Sequence, residues 1–228
     1  MPALTTHPGT FSSDYLRFFK EIKAHNNKEW FAKNKERYEA VIKGPSLAFI
    51  ESVQADLHKI SKELVVDPRP VGGSFFRIYR DVRFSKDKSP YKTHAGLHFT
   101  HRVNDEKVHA PGFYLHLEPG DSGAWGGVWQ PPTPDLHAIR EAIADDPKKW
   151  AKLTKGFERH GDRLQRVPSG FDKDHPAAEE LKWKDYLIGR SFTDAQVSAP
   201  DFRGRFMRAC REMAPFNEFI AAATGRPW

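Results

Sequence analysis

Apolar positions recur three and four apart through the first sixty or so residues, every second residue from about 71 to 118, and at helical spacing again afterwards. The first block predicts three helices. Ser12 or Ser13 caps a helix whose stripe is Leu16, Phe19 and Ile22, and Asn26-Asn27 ends it or caps the next. The second carries Phe31, Tyr38, Val41 and Ile42 and is expected to stop at Gly44-Pro45. The third begins at Pro45, pre-set for a first turn, and presents Phe49, Val53, Leu57 and Ile60.

The period-two block predicts strands. Phe76 and Ile78 alternate with Phe75, Arg77 and Tyr79; Ala95, Leu97 and Phe99 with His94, Gly96 and His98; Phe113, Leu115 and Leu117 with Tyr114, His116 and Glu118. Gly123, Gly126 and Gly127 beside Trp125 and Trp129 read as a kinked fourth strand. A turn at Asn104-Asp105 joins the second and third strands as an antiparallel hairpin.

After Pro131-Pro132, Thr133 caps a helix with Pro134 at its first position and the stripe Leu136, Ile139 and Ile143. Asp146-Pro147 repeats that start signal before Trp150. A last helix carries Phe202, Phe206 and Cys210, is bent or broken at Pro215, and resumes with Phe216, Phe219 and Ile220. Helices, then strands, then helices is an α+β order: one antiparallel or mixed sheet of about four or more strands, with helices from both ends of the chain packed on it. A single domain over 1–228 is expected, with 1–11 a loose amino-terminal extension.

The stretch Gly72-Gly73-Ser74-Phe75-Phe76-Arg77-Ile78-Tyr79-Arg80-Asp81, continuing through Ser89-Pro90-Tyr91-Lys92-Thr93-His94, resembles the signature of a bacterial and fungal family known as domain of unknown function 2461. The likeness extends to Asn26-Asn27-Lys28-Glu29-Trp30-Phe31, Pro111-Gly112-Phe113-Tyr114, His116-Leu117-Glu118-Pro119-Gly120, and Gly126-Gly127 with Trp129. It covers nearly the whole chain. The resemblance implies relatives and brings no activity with it.

Composition narrows the classes. Aromatic content of 13%, with 17 Phe and 6 Trp, supplies the burial that offsets chain entropy and argues against disorder. No apolar run approaches the ~20 residues of a membrane helix, and nothing near the start reads as a secretion signal. A single cysteine, Cys210, excludes an internal disulfide framework and a cysteine-based zinc cage. A soluble, cytoplasmic protein is expected. The net charge of +6 is mild, but six basic residues against two acidic fall between Arg77 and Lys92.

That local excess directs attention to the connection 80–93, too long for an ordinary hairpin loop. Arg80, Arg83, Lys86, Lys88 and Lys92, interleaved with Phe84, Tyr91 and serines, suit a phosphate ligand, since cations neutralise charge, hydroxyls donate and rings stack on bases. The bland alternative is a solvated charge run. With the strand phases above, Arg77, Tyr79, His94, His98, Tyr114, His116 and Glu118 share one sheet face, opposite Phe76, Ile78, Leu97, Phe99, Leu115 and Leu117. Antiparallel sheets often leave one face wet. Against that stands the residue choice: histidine beside a carboxylate exchanges protons near neutral pH, and an arginine fork holds an anion.

Five histidines (His94, His98, His101, His109, His116) within 23 residues raise a metal reading. Positions four apart on a strand are ~13 Å apart, so His94 and His98 cannot share an ion, while cross-strand His98, His116 and Glu118 can converge. No metal and no cofactor are assigned. Cys210 reads as a buried structural thiol, the glycine pairs do not make a phosphate loop, and Arg203, Arg205, Arg208 and Arg211 read as a helix face.

The leading expectation is binding of a phosphate-bearing partner, a nucleotide or single-stranded nucleic acid, by Arg77, Tyr79, Arg80, Arg83, Lys86, Lys88, Tyr91, Lys92, His94 and Tyr114. The alternative is a hydrolase or transferase in which Arg77 positions an anionic group and His98, His116 or Glu118 performs acid–base work. An interaction scaffold without a pocket is the third. Sequence leaves the oligomeric state open.

Overall fold

The computed structural model describes residues 9–102 and 109–228. The expected turn at Asn104-Asp105 and most of the expected amino-terminal extension lie outside the described residues. The part of that extension within them is not loose: Phe11 is fully buried against Tyr15, Phe49 and Phe202.

Three helices open the chain: α1 (Ser13–Ala24), α2 (Lys28–Tyr38) and α3 (Gly44–Ile60). The two asparagines between α1 and α2 divide their labour. Asn27 caps α2 by accepting from the Trp30 N–H at 2.9 Å, and Asn26 reaches elsewhere. Gly44-Pro45 does not stop the second helix in open loop. A π-turn over Glu39–Lys43, in which the Gly44 N–H reaches the Glu39 carbonyl, carries the chain directly into α3. Pro45 then occupies the first turn of α3, where its missing N–H costs nothing.

Strands β1 (Leu64–Val65), β2 (Ala95–His101), β3 (Gly112–Leu117), β4 (Ser122–Val128), β5 (Glu158–His160) and β6 (Tyr186–Phe192) form one six-stranded sheet, ordered β1-β2-β3-β4-β6-β5 and antiparallel throughout. This is an α+β fold. Helices α4 (Thr133–Asp145), α5 (Pro147–Thr154), α6 (Ala178–Leu181), α7 (Asp194–Val197) and α8 (Phe202–Ala223) complete it. Asp146 caps α5 as expected, through the Lys149 N–H at 2.9 Å. Thr133 makes no capping bond for α4. Pro215 lies inside a helix that continues unbroken to Ala223.

One sheet face is the core. Leu97, Phe99, Phe113, Leu115, Ala124 and Ile188 are fully or almost fully buried, and α8 lies across them. Phe206 of α8 meets Phe99 at 5.7 Å and Phe49 of α3 at 5.5 Å, while Trp150 of α5 meets Phe216 of α8 at 5.1 Å. Each such ring or aliphatic side chain contributes roughly 1.5–3 kcal/mol by leaving water. Asn217 of α8, buried in this interface, donates to the Gly112 carbonyl at 2.8 Å and ties helix to sheet.

The segment expected as a first strand at 71–79 is the main departure. It makes only two isolated bridges, Phe75 with Leu97 and Tyr79 with Tyr91, so it touches the sheet edge and then peels away to pair with its own return limb. Without a continuous ladder the period-two phase does not hold. Phe75, paired with Leu97, is buried on the core side, and Phe76 emerges on the other face beside His98 at 5.7 Å. Phe75 and Phe76 therefore exchange the faces assigned to them.

Candidate functional site

The second face of the sheet carries little bulk. Cross-strand pairing sets it out in rows: Gly96, His116, Gly123 and Ser191; His98, Tyr114, Trp125 and Gly189; Thr100, Gly112, Gly127 and Leu187. Two of its rings lie over glycines of the neighbouring strand. A Cβ on Gly96 would collide with the Tyr114 ring, and one on Gly189 with the Trp125 ring. Aromatic side chains here lie down along the sheet instead of standing up from it.

The result is a cavity of about 400 Å³, within the range of small-molecule pockets. Phe76, Tyr114, Trp125, Trp129 and Leu187 supply its apolar wall; His98, His116, His160, Asp121 and Ser191 are its polar groups. Neither Lys nor Arg is among the described residues that line it.

Three of the sequence candidates converge beside the cavity, with His116 in its lining and His94 in that of a second depression described below. The ligating atoms of His94, His116 and Glu118 all lie within 4.8 Å of one another. His116 Nε2 is 3.3 Å and His94 Nδ1 3.8 Å from the same oxygen, Glu118 Oε2, and the two imidazole rings are 4.4 Å apart. The other oxygen, Glu118 Oε1, accepts from the Thr93 hydroxyl at 3.0 Å, with the exposed Lys23 ammonium at 4.0 Å. Each side chain has a local reason for its place. His116 projects from β3 onto the open face. Glu118 opens a β-turn in which its carbonyl accepts from the Asp121 N–H at 3.0 Å; Pro119 and Gly120 at φ +78° give the type II signature.

His94 is placed by what precedes it. Asn26 holds the Tyr91 backbone by two hydrogen bonds, the Phe31 and Tyr91 rings stack at 4.2 Å, and β2 begins one residue after His94. Burial, reinforced by the neighbouring His116 and only partly offset by Glu118, depresses the His94 pKa to about 4. His94 is therefore neutral at pH 7. Burial also pushes the Tyr114 hydroxyl well above its usual range, so the cavity holds a protonated phenol.

Residues 14–219 match the model of the family described as conserved hypothetical protein (DUF2461). The chain belongs to the DUF2461 family. Comparison with curated proteins gave no match.

In this DUF2461 chain the remaining candidates scatter around the cluster. His98 lines the cavity with Tyr114 but stands outside the convergent triplet, so His94 takes the place the sequence reading gave to His98. Arg77 and Tyr79, expected on the same face, fall outside the cavity lining because the segment that carries them leaves the sheet; Tyr79 packs on Phe31 and Tyr91. His101 is fully buried with Nε2 at the Pro227 carbonyl, and His109 faces the Gln130 carbonyl.

The basic loop largely answers its own charge. Arg80 Nη1 lies 2.5 Å from Asp87, Arg83 Nη2 lies 2.7 Å from Asp81, and Lys88 donates to the Val82 carbonyl. Hydrogen bonds from Arg83 hold Asp81 down to about 2, and those from Ser89, with Arg80 behind them, do the same for Asp87. Phe84 at the tip is 95% exposed. Lys92 differs. It has no carboxylate partner among the described residues, lies 5.2 Å over the Phe76 ring, and has its pKa lowered by burial and by Arg77. Lys92 lines a second, polar depression with Lys23, Arg80, Ser89, Thr93 and His94, on the other side of the cluster from the aromatic cavity.

Sequence reasoning missed β5 and β6, and with them His160, Leu187 and Ser191 of the cavity lining and Gly189 beneath Trp125. The one available signal was Tyr186-Leu187-Ile188-Gly189, a short apolar run whose glycine now proves to lie under Trp125.

Proposed function

We propose that the protein is an enzyme acting on a small, flat, largely uncharged molecule held in the aromatic cavity, with the His94, His116 and Glu118 cluster as its reactive group. One observation carries the reading: two imidazoles and a carboxylate converge where His116 meets a ring-lined cavity, and neither Lys nor Arg is among the described residues that line that cavity. Apolar walls bind by area and a few placed polar groups orient the ligand, which is the usual division in small-molecule sites. Imidazole and carboxylate supply the acid–base groups that a hydrolase or transferase needs.

The test is turnover of p-nitrophenyl esters, nitroanilides and p-nitrophenyl phosphate as flat aromatic probes. Uncharged esters or amides are expected to be cleaved in preference to the phosphate, and His116→Ala to lower the rate by ~10²-fold or more. A wild-type protein inert toward all three, or equally active after His116→Ala, would overturn it.

A second reading keeps the phosphate-bearing ligand and places it in the polar depression. Lys92, uncompensated and half-buried beside Ser89 and Thr93, favours it. Affinity for a mononucleotide that falls steeply with salt, and is lost in Lys92→Ala, is the outcome it requires.

A further inference from the structure

We propose that His94, His116 and Glu118 form the protein part of a site for a divalent first-row transition ion, with the remaining coordination positions open to the aromatic cavity. The inference rests on the enzyme reading only for what those open positions face; the site itself stands on geometry.

Donors ~2.0–2.2 Å from a common ion at tetrahedral angles lie ~3.4 Å from one another. The two measured separations from Glu118 Oε2, 3.3 Å to His116 Nε2 and 3.8 Å to His94 Nδ1, bracket that value. The widest of the three separations is within 4.8 Å, little more than ~1 Å beyond that value. A proton relay would need one imidazole on the carboxylate. Here ring nitrogens of two imidazoles, one just before β2 and one on β3, lie within 3.8 Å of one oxygen, the arrangement expected of ligands sharing a centre.

The donor set also selects the ion. Two imidazole nitrogens with one carboxylate suit zinc or iron(II), whereas calcium and magnesium ask for all-oxygen shells. Three protein ligands leave at least one position for water or substrate, the mark of a catalytic as opposed to a structural site. Glu118 is already oriented from outside, its second oxygen accepting the Thr93 hydroxyl at 3.0 Å, as ligating carboxylates commonly are. With the ion in place the ligand class narrows to a flat molecule bearing an uncharged oxygen donor, such as a carbonyl, that can meet the metal while its ring lies along Tyr114 and Trp125.

The test is zinc uptake by the full chain. Protein dialysed first against EDTA and then against zinc chloride, with bound metal read by mass spectrometry of the digested sample, should retain one ion per chain. His116→Ala and Glu118→Ala should lose it, and Thr93→Val, which removes only the outer hydroxyl, should weaken it by ~10-fold or more. His98→Ala, in the same cavity but outside the cluster, should bind like wild type. Cobalt(II) should give visible absorption bands in the wild type that are absent in Glu118→Ala, and circular dichroism should show every variant folded. No zinc in the wild type, or equal loss in His98→Ala and His116→Ala, would overturn the site. Zinc bound by the cluster supports it even where no ester is turned over. Ester turnover by a protein that takes up no zinc overturns the metal and leaves the enzyme reading standing.

Discussion

The side-chain amide of Asn26 brackets the backbone of Tyr91: its Oδ1 accepts from the Tyr91 N–H at 3.0 Å and its Nδ2 donates to the Tyr91 carbonyl at 2.9 Å. An amide side chain used this way imitates a strand partner. It ties the turn between α1 and α2 to the limb that delivers Lys92, Thr93 and His94. Asn26→Ala is expected to cost ~1–3 kcal/mol, because two partly buried backbone groups lose their partners. Asn26→Asp keeps the acceptor but sets a carboxylate against the Tyr91 carbonyl, and should cost a similar amount. Urea denaturation measures both. Zinc uptake should fall with them, since His94 loses its anchor while remaining chemically intact.

Gly189 and Trp125 are a second coupled pair. The indole lies on the glycine, and a methyl there would drive the ring off the sheet and into the cavity. Gly189→Ala should destabilise by ~1–3 kcal/mol through overpacking and should lower the affinity for any aromatic probe of the cavity. Intrinsic fluorescence checks the mechanism: the emission change on Gly189→Ala should vanish in a Trp125→Phe background.

These two pairs also show what was legible in the sequence. The regular elements were, because helical stripes such as Leu16, Phe19 and Ile22 and the alternation of β2 and β3 follow burial on one face, and burial is what composition records. Glu118 and His116 were placed on the right face for that reason. His94 was named as a ligand contact but not as the partner of His116, since their approach depends on strand register and on Asn26, 68 residues away. The exchange of Phe75 and Phe76 has a similar cause. Periodicity assumes a continuous ladder, and at 71–79 the ladder is two isolated bridges. β6 escaped notice because Gly189 and Arg190 interrupt its apolar run, and both interruptions answer to neighbours: Trp125 over the first, Glu212 paired at 3.2 Å with the second.

Alkaline pH should unfold the protein through its tyrosines. Burial raises Tyr15, Tyr38 and Tyr114 well above the usual range and Tyr186 to about 12. An unfolded tyrosine ionises near pH 10, so above that the unfolded state has shed protons that the native state retains. The stabilisation is full below ~pH 10 and is lost as pH rises toward the folded values. Tyrosinate absorbance from these four should therefore appear in one cooperative step together with loss of circular dichroism. Tyr15→Phe should flatten the pH dependence while costing ~1 kcal/mol at neutral pH for the bond to Ser46 Oγ, 2.8 Å long in the wild type. A gradual titration of all six tyrosines, with no accompanying unfolding, would contradict this.

The charge of the loop 80–93 leads to the last prediction. Its formal excess is large, but Asp81 and Asp87 occupy Arg83 and Arg80, and Lys88 is held by a backbone carbonyl. The carboxylates of these pairs are fully exposed and screened by solvent, so their removal should leave the melting temperature almost unchanged. Their effect on anion binding should be larger, because an arginine fork facing its own carboxylate is not free to meet a phosphate. Asp81→Asn with Asp87→Asn should release both guanidinium groups. The doubly substituted protein should elute from heparin at higher salt than wild type, with a salt dependence steeper by roughly one to two charges. Lys92→Ala should shift elution the opposite way, since its ammonium has no carboxylate partner among the described residues. If instead the double substitution leaves elution unchanged and Arg83→Ala weakens it, Arg83 already engages anions in the wild type. The loop would then be an open phosphate-binding element, and the second reading of function would gain over the first.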